Sequence, residues 1–266
     1  MTNKYIDDII KTPRQKTLIS NTKNLVRYKR KRRKNMKIAT LVREMDMPTP
    51  GAFSHRFYIM ADYYQMAIEH GFELVGIMSG MDPEAICREC EGLIVPGSGK
   101  DIDPKYYGGT PMDPPQKIDE YALDAKIIDI FVKQGKPIFG VCGGHQDLNI
   151  YFGGTIEKID YDPHQDEKKY HDIDIEEGSF VYDVFGSTTA RVNSYHRWAI
   201  GKLAPNLKAV ARCKTDGVIE AIEDKERCIY ATQWHPEQSY HTGDSIEKKF
   251  FENFLVRCAE IKAKNG

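Results

Sequence analysis

The stretch PIFGVCGGHQDLN, residues 137–149, decides how the rest of the chain is interpreted. A short apolar run leads into Cys142, two glycines follow, and the next residues continue as a helix. Strand, sharp turn and helix together are typical of a nucleophile elbow. The pattern predicts Cys142 at a helix N-terminus, where free N–H groups and the helix dipole favour the thiolate, with the Gly143 amide facing a developing oxyanion. Free cysteines are also common in protein cores, so this local sequence leaves plain packing open as an equal alternative.

A second motif, YATQWHPEQ at 230–238, offers the base that a cysteine nucleophile needs. His235 ends a strand-like run, and in an extended chain its side chain projects to the same side as that of Glu237. The carboxylate can therefore orient the imidazole, while Pro236 closes the strand. The two motifs together predict that Cys142, His235 and Glu237 form a nucleophile, base and orienting carboxylate.

The pattern around these motifs indicates the fold. Up to residue 142, strand-like apolar runs alternate with helical patterns; the strands are predicted at 37–42, 72–79, 92–97 and 135–142, and the helices at 55–71, 82–90 and 118–134. Nearly all-apolar strands alternating with helices indicate a parallel sheet covered on both faces. Beyond about residue 155 the pattern is of strands joined by hairpins, closed by an amphipathic helix at 244–264. We therefore expect an α/β fold with a mostly parallel central sheet and an antiparallel strand extension.

Composition divides the chain into two parts. Residues 1–36 carry twelve Lys or Arg and two Asp, a net charge of +10, whereas the remainder carries 26 basic and 37 acidic residues, a net charge of −11. The run VRYKRKRRKN at 26–35 is typical of a nucleic-acid arm or a nuclear-localisation patch, but charge runs without interleaved aromatic residues rarely order. We predict a basic, disordered tail at 1–35 and one folded domain at 36–264.

The totals also bear on the compartment. The sequence has no apolar run long enough to span a membrane and no secretory signal pattern. Its six cysteines are too sparse for a disulfide scaffold, so a cytoplasmic location is expected.

Four motifs carry a resemblance to a known family. GVCGGHQDLN together with QWHPE resembles the class I glutamine amidotransferase superfamily. Within it, LIVPGSGKDIDPKYYG at 93–108 and VNSYHRWAI at 192–200 are similar to the γ-glutamyl-γ-aminobutyrate hydrolase group, also called the peptidase C26 family. The resemblance covers about residues 36–260 and implies a flavodoxin-like three-layer α/β sandwich.

The resemblance also implies roles for individual residues. Cys142 is the expected nucleophile, His235 the general base and then acid, and Glu237 the orienting carboxylate. Gly97 and Gly143 match the oxyanion-hole amides. The residues expected to bind substrate are Gln146, which holds the glutamyl group, and the segment bordering its α-amino and α-carboxylate end, namely Asn193, Ser194, Tyr195 and His196. Many relatives have arginine directly after the nucleophile, where this chain has Gly143, so the exact substrate stays open.

The function implied is a cysteine-nucleophile hydrolase that cleaves small γ-glutamyl amines through a glutamyl-thioester and releases glutamate. The expected substrate is of the kind of γ-glutamyl-γ-aminobutyrate in polyamine (putrescine) breakdown. No metal and no other cofactor is expected, nor any membrane or nucleic-acid partner for the folded domain; a homodimer is the family expectation. One alternative is a glutaminase subunit that passes ammonia to a partner synthase. Another is an inactive binding scaffold that acts through its basic tail.

Other candidate residues carry less chemistry. The CREC motif at 87–90 has no further ligands at zinc spacing and no redox context, so helix packing or surface exposure is the preferred interpretation. The acids of DIDPKYY at 101–107 are interpreted as turn formers. Three histidines lie among polar residues and are predicted to be exposed: His164, His171 and His241.

Overall fold

A computed structural model of the chain describes residues 36–159, 170–243 and 246–265. The predicted basic tail at 1–35 and His164 therefore lie outside the described residues. The elements are β1 (Lys37–Leu41), β2 (Arg43–Thr49), β3 (Ala52–Tyr58), α1 (Ala61–His70), β4 (Glu73–Ile77), α2 (Pro83–Glu89), β5 (Gly92–Val95), α3 (Glu120–Lys133), β6 (Ile138–Val141), α4 (Gly143–Tyr151), β7 (Ile156–Lys158), β8 (Tyr170–Ile175), α5 (Phe180–Phe185), β9 (Thr189–Asn193), β10 (Trp198–Ile200), β11 (Lys208–Cys213), β12 (Ile219–Asp224), β13 (Ile229–Thr232), α6 (Ser239–Thr242) and α7 (Lys248–Asn265).

One nine-stranded sheet organises the described part of the chain, in the order β4-β1-β5-β6-β13-β12-β11-β8-β9. The first five strands are parallel, and the last four join by antiparallel pairing. Numbered by their own sequence order, the parallel strands run 2-1-3-4-5, the flavodoxin-like order. The predicted α/β fold, mostly parallel with an antiparallel extension, is confirmed.

The core lies on both faces of this sheet, because successive side chains of a strand point to opposite sides. In β6, Ile138 belongs to one apolar cluster with Ile127 and Phe131 of α3. Its neighbour Phe139 belongs to the other cluster, with Phe250 of α7. Every residue of β5, β6 and β13 is buried, which explains why these strands are nearly all apolar in sequence. Helices on both faces make the fold a three-layer sandwich.

Two local predictions are wrong. The helix expected over 55–71 begins at Ala61, because residues 52–58 form β3, which pairs with β2 as a hairpin. Gly51, with a φ of 76°, permits the reversal between those two strands. In the region predicted as strands and hairpins, residues 180–185 form α5, which the Ser179 hydroxyl caps by accepting a hydrogen bond from the Tyr182 amide.

His171, predicted to be exposed, is buried. It lies on β8, where inward and outward side chains alternate strictly, and it shares the inward face with Ile173 and Ile175. His241 is exposed, as predicted. Within the described ranges, no helix combines the length and the apolar character that crossing a membrane requires.

Candidate active site

The candidate site lies where the parallel strands end. Arg43, Gly97, Cys142 and His235 follow β1, β5, β6 and β13, four strands that neighbour one another in the sheet. Parallel strands bring their carboxyl ends to the same edge of the sheet, which is where open α/β folds bind ligands. The fold therefore collects at one edge residues that are up to about 190 positions apart in sequence.

Cys142 occupies a strained turn between β6 and α4. Its φ of 52° and ψ of −100° are unusual for a residue with a side chain, and its amide donates to the Thr232 carbonyl of β13 at 2.8 Å. Glycine is required on either side: a Cβ at Gly144 would lie 2.1 Å from the Val95 carbonyl oxygen, and one at Gly140 would lie 2.6 Å from the Gly144 oxygen. The absence of side chains at these two positions therefore permits the predicted elbow geometry.

An imidazole and a carboxylate lie next to the sulfur. His235 Nδ1 is 2.6 Å from Glu237 Oε1, and the His235 side chain is hydrogen-bonded to that of Cys142. Since a carboxylate only accepts, Nδ1 carries a proton and the other ring nitrogen is left for the sulfur. Burial lowers the pKa of His235, but the charges of Glu237 and Cys142 outweigh it and hold that pKa well above its usual value. The protonated imidazole is thus favoured beside the sulfur.

The sulfur has two further contacts and little exposure. Gln233 Nε2 lies 3.7 Å from Cys142 Sγ, and the Tyr195 carbonyl oxygen lies 3.8 Å from it. Cys142 is 8% exposed, but it lines two cavities that open to solvent. A small substrate can therefore reach a sulfur that is otherwise enclosed by protein.

Gly97 and Gly143, the residues expected to supply oxyanion-hole amides, both lie next to Cys142. A Cβ built at Gly97 would lie 3.5 Å from both Cys142 Cβ and His235 Cε1, so this glycine is adjacent to both side chains. Neither amide donates a hydrogen bond to another described residue. A Cβ at Gly143 would lie 2.8 Å from the Ser98 amide nitrogen. The loop after β5 therefore packs closely against Gly143.

Arg43 holds that loop in place by hydrogen bonds to its backbone. It is 3% exposed, and it donates to the carbonyl oxygens of Gly97 at 3.0 Å and Pro96 at 2.6 Å and to Asp124 Oδ2 at 2.5 Å. Burial and the charge of Asp124 raise the pKa of Asp147 well above its usual value, so its carboxyl stays protonated and donates to Asp124. A compensated ion pair thus holds the backbone that carries the Gly97 amide.

A second group of charges faces the cavity beside Gly143. Glu120 Oε2 accepts from the Ser98 hydroxyl at 2.6 Å, and Glu120 Oε1 is 3.1 Å from Lys100 Nζ. Burial raises the pKa of Glu120, but the Ser98 bond and the nearby positive charge of Arg43 outweigh it and hold that pKa below its usual value. Glu120 therefore stays ionised at this edge.

Gln146, predicted to hold the glutamyl group, lies in α4 and lines the same cavity. Its Nε2 donates to the Trp198 carbonyl at 2.7 Å and to Gln233 Oε1 at 3.1 Å. The same Gln233 oxygen is 3.1 Å from His145 Nδ1. Burial lowers the pKa of His145 to about 4, so this imidazole is neutral. Gln233 therefore joins α4 to the sulfur of Cys142.

The predicted segment 193–196 divides into two roles. Asn193 holds the histidine loop: its Oδ1 accepts from the His235 amide at 2.8 Å and its Nδ2 donates to the His235 carbonyl at 3.0 Å. Asn193 and Ser194 are buried and do not line the two cavities, whereas the half-exposed Tyr195 lines both.

His196 lines one cavity from a buried position. Its Nδ1 is 3.0 Å from the Trp198 carbonyl oxygen, and its Nε2 is 3.6 Å from Glu220. His171 Nε2 lies 3.3 Å from the same carboxylate. Burial raises the pKa of Glu220, but its hydrogen bonds with the two histidines outweigh it and hold that pKa well below its usual value. Glu220 is thus an ionised anchor for the loop that carries His196.

Two cavities meet at Cys142. The charged cavity has a volume of about 320 Å³, and the charged side chains among its lining are Lys100, Asp101, Glu120, Asp124 and Arg197; the protonated carboxyl of Asp147 also lines it. The apolar cavity has a volume of about 160 Å³, and most of the side chains that line it away from Cys142 and His235 are apolar or aromatic, namely Leu41, Tyr58, Ile59, Met60, Tyr63, Pro96 and Tyr195, with Arg43 and Ser98 beside them. Gly143 and Gln146 line the charged cavity, whereas Gly97 and His235 line the apolar one.

Sequence reasoning missed several of these residues. Arg43 was available as a signal, since it is the first charged residue after the apolar run of β1 and thus stands at a carboxyl strand end. Gln233 was within the quoted QWHPE motif. Tyr63 was hidden within a helical pattern, where an aromatic residue usually indicates packing.

The CREC motif has no role at this site. Cys87 and Cys90 are both buried in an apolar cluster, as the packing interpretation predicted. Burial raises the pKa of Cys90 to about 12 and also raises that of Cys87, so both remain thiols.

Comparisons with known proteins identify the family and the fold. The family model described as peptidase C26 matches residues 40–237. Protein NtpR of Enterococcus hirae is 32% identical over 198 residues, which are 67% of this chain and 80% of NtpR. The gamma-glutamyl-gamma-aminobutyrate hydrolase PuuD of Escherichia coli strain K12 is 26% identical over 191 residues, which are 66% of this chain and 74% of PuuD. The crystal structure of a glutamine amidotransferase from Thermotoga maritima shares the fold, with a TM-score of 0.59 and 11% identity over 85% of this chain and 99% of its own.

Proposed function

The chain belongs to the peptidase C26 family and is a hydrolase, and from this premise we propose that it cleaves the amide bond of small γ-glutamyl amines. The proposal rests mainly on three features that lie together at Cys142. These are an imidazole paired with a carboxylate, two backbone amides without a described acceptor, and a cavity of mixed charge. Acyl transfer needs a nucleophile, a proton carrier and an oxyanion site together.

In the proposed reaction, the sulfur of Cys142 attacks the δ-carbonyl carbon of the γ-glutamyl group. The amides of Gly97 and Gly143 donate to the oxygen that becomes negative, and His235 gives its proton to the leaving nitrogen. The C–N bond breaks and a glutamyl-thioester remains. Water, deprotonated by His235, then attacks the thioester and releases glutamate, while Glu237 holds the imidazole in orientation throughout.

The charged cavity supports the glutamyl end of this substrate. A γ-glutamyl group ends in an α-ammonium and an α-carboxylate, so it needs acceptors and donors close together. Glu120 supplies a carboxylate, and Lys100 and Arg197 supply cations, all along the wall of one cavity. In this proposal, Gln146 and the loop of Tyr195 and His196 position the glutamyl chain between those charges and the sulfur.

The test is a panel of γ-glutamyl amides, with glutamine and γ-glutamyl-γ-aminobutyrate among them, assayed on the parent enzyme and on Cys142→Ala. We expect turnover of γ-glutamyl amides by the parent, and its loss in Cys142→Ala without loss of the folded state by circular dichroism. The matched control is Cys213→Ala, which removes a buried sulfur from β11 and should retain turnover.

Two results would count against the proposal. Near-normal rates for Cys142→Ala would show that the nucleophile is assigned wrongly. Clear preference of the parent for free glutamine over every substituted amide would favour the glutaminase alternative.

A further inference from the structure

The two cavities at Cys142 are lined by different residues of the candidate active site. His235 lines the apolar cavity, and Gln146 with the charged side chains lines the charged one. If Cys142 cleaves γ-glutamyl amides as proposed above, the zwitterionic glutamyl end belongs in the charged cavity. The imidazole has to reach the leaving nitrogen, so the amine portion extends into the apolar cavity.

The charges around the apolar cavity do not suit an anionic amine. Arg43 lines it, but its donors are bonded to the carbonyls of Gly97 and Pro96 and to Asp124. His235 is committed to Glu237 and to the sulfur. A carboxylate carried by the amine would therefore find no unpaired cation among the described lining residues. Burying an unpaired charge is costly.

The remaining polar groups of this cavity are uncharged. Burial raises the pKa of Tyr58 and raises that of Tyr63 well above its usual value, so both phenols stay neutral. The hydroxyl of Tyr63 is fully buried and has no hydrogen-bond partner among the described residues. The other walls include the side chains of Leu41, Ile59, Met60, Pro96 and Tyr195, and that of Ser98, whose hydroxyl donates to Glu120.

The size of the apolar cavity limits the amine as well. Its volume is about 160 Å³. A cavity of about 150 Å³ lined by apolar side chains is known to hold a benzene molecule. The apolar cavity therefore has room for one planar ring or a short branched alkyl group beside Tyr58, Tyr63 and the aliphatic side chains.

We propose that the amine released by this hydrolase carries no further charge and bears one apolar group of about the size of a benzene ring. The substrate class is thus γ-glutamyl amides of apolar monoamines, and γ-glutamyl amides that end in a carboxylate, γ-glutamyl-γ-aminobutyrate included, are poorer substrates.

The decisive experiment compares two substrates that differ by one carboxylate, γ-glutamyl-benzylamide and γ-glutamyl-(4-carboxybenzyl)amide. We expect kcat/KM at least tenfold higher for the uncharged member, with γ-glutamyl-γ-aminobutyrate on the poorer side. Equal values, or preference for the carboxylate, would overturn the inference while leaving a γ-glutamyl hydrolase. Failure to hydrolyse any γ-glutamyl amide would instead refute the proposed function itself.

A variant makes the same test independently. Ile59 lines the apolar cavity and is 37% exposed, so a lysine there can place its ammonium at the cavity mouth. We expect Ile59→Lys to lower the preference for the benzylamide over the carboxybenzylamide at least tenfold. The control Ile68→Lys adds the same charge to an exposed position of α1, and should leave the preference unchanged. An unaltered preference in a folded Ile59→Lys would place the amine elsewhere.

Discussion

Replacing Arg43 by methionine tests two roles of this side chain, its contribution to the free energy of unfolding and its positioning of the loop that contains Gly97. The Arg43 and Asp124 side chains are each 4% exposed, and their atoms lie 2.5 Å apart. Removing one partner of such a buried pair costs about 3–5 kcal/mol, because the other charge is left uncompensated. We therefore expect Arg43→Met to lower the free energy of unfolding in urea by about 3–5 kcal/mol.

The double variant Arg43→Met/Asp124→Asn removes both charges. It should be more stable than Arg43→Met by about 0.5–3 kcal/mol, the usual coupling between residues in one network. Turnover should not recover with stability. The carbonyls of Pro96 and Gly97 lose their donor in both variants, and a displacement of about 1 Å at a reacting group costs about 100-fold in rate.

Urea unfolding followed by fluorescence, and kcat on a γ-glutamyl amide, measure the two effects separately. Asp124→Asn alone is the control: it keeps the bonds from Arg43 to both carbonyls, so it should lose less than tenfold in kcat. Wild-type kcat in Arg43→Met would refute the anchoring role. A double variant no more stable than Arg43→Met would refute the charge argument.

Two further variants probe the reacting groups. Gly143→Ala would place a Cβ 2.8 Å from the Ser98 amide nitrogen, so we expect kcat to fall about 10–100-fold. In the control Gly99→Ala, the added Cβ would have no atom within 4 Å, so kcat should fall less than about threefold. Equal losses of kcat in the two variants would contradict the role of the Gly143 contact. Glu237→Gln removes the charge that raises the pKa of His235, so the imidazolium is lost at lower pH. The alkaline limb of the kcat/KM profile should therefore move to lower pH, with turnover at pH 7 reduced roughly 10²–10⁴-fold; an unmoved limb would rule out the pairing.

Local patterns predicted the strands and the elbow because both depend on neighbouring residues. Apolar runs of four to six residues mark strands that are buried on both faces, and β5 and β6 are such strands. Glycine is needed around Cys142 because the tight turn leaves no room there for a Cβ atom. The helix predicted over 55–71 is wrong only in its first residues, up to Met60, because the same apolar spacing also suits a hairpin, and the turn at Gly51 favours the hairpin.

The residues that sequence reasoning missed act over long separations. Arg43 reaches Asp124 across 81 positions and Gln233 reaches Cys142 across 91, so no local window contains either pair. His171 is a different case, since the alternation along β8 already placed it on the inward face. Its polar neighbours in sequence are the outward-facing residues of the same strand. That His235 lines the apolar cavity follows only from the three-dimensional structure, because the residues of that cavity are far apart in sequence.

The position of β13 in the sheet has a consequence for synthesis of the protein. This strand fills the place beside β6, and its partner residues Ile138 and Ile229 are 91 positions apart. A nascent chain that has produced the elbow still lacks the histidine loop and the strand that supports it. Long-range pairing of this kind is slow to form. The thiol is therefore brought into contact with its proton partner only when the last sheet strand in sequence has paired with β6.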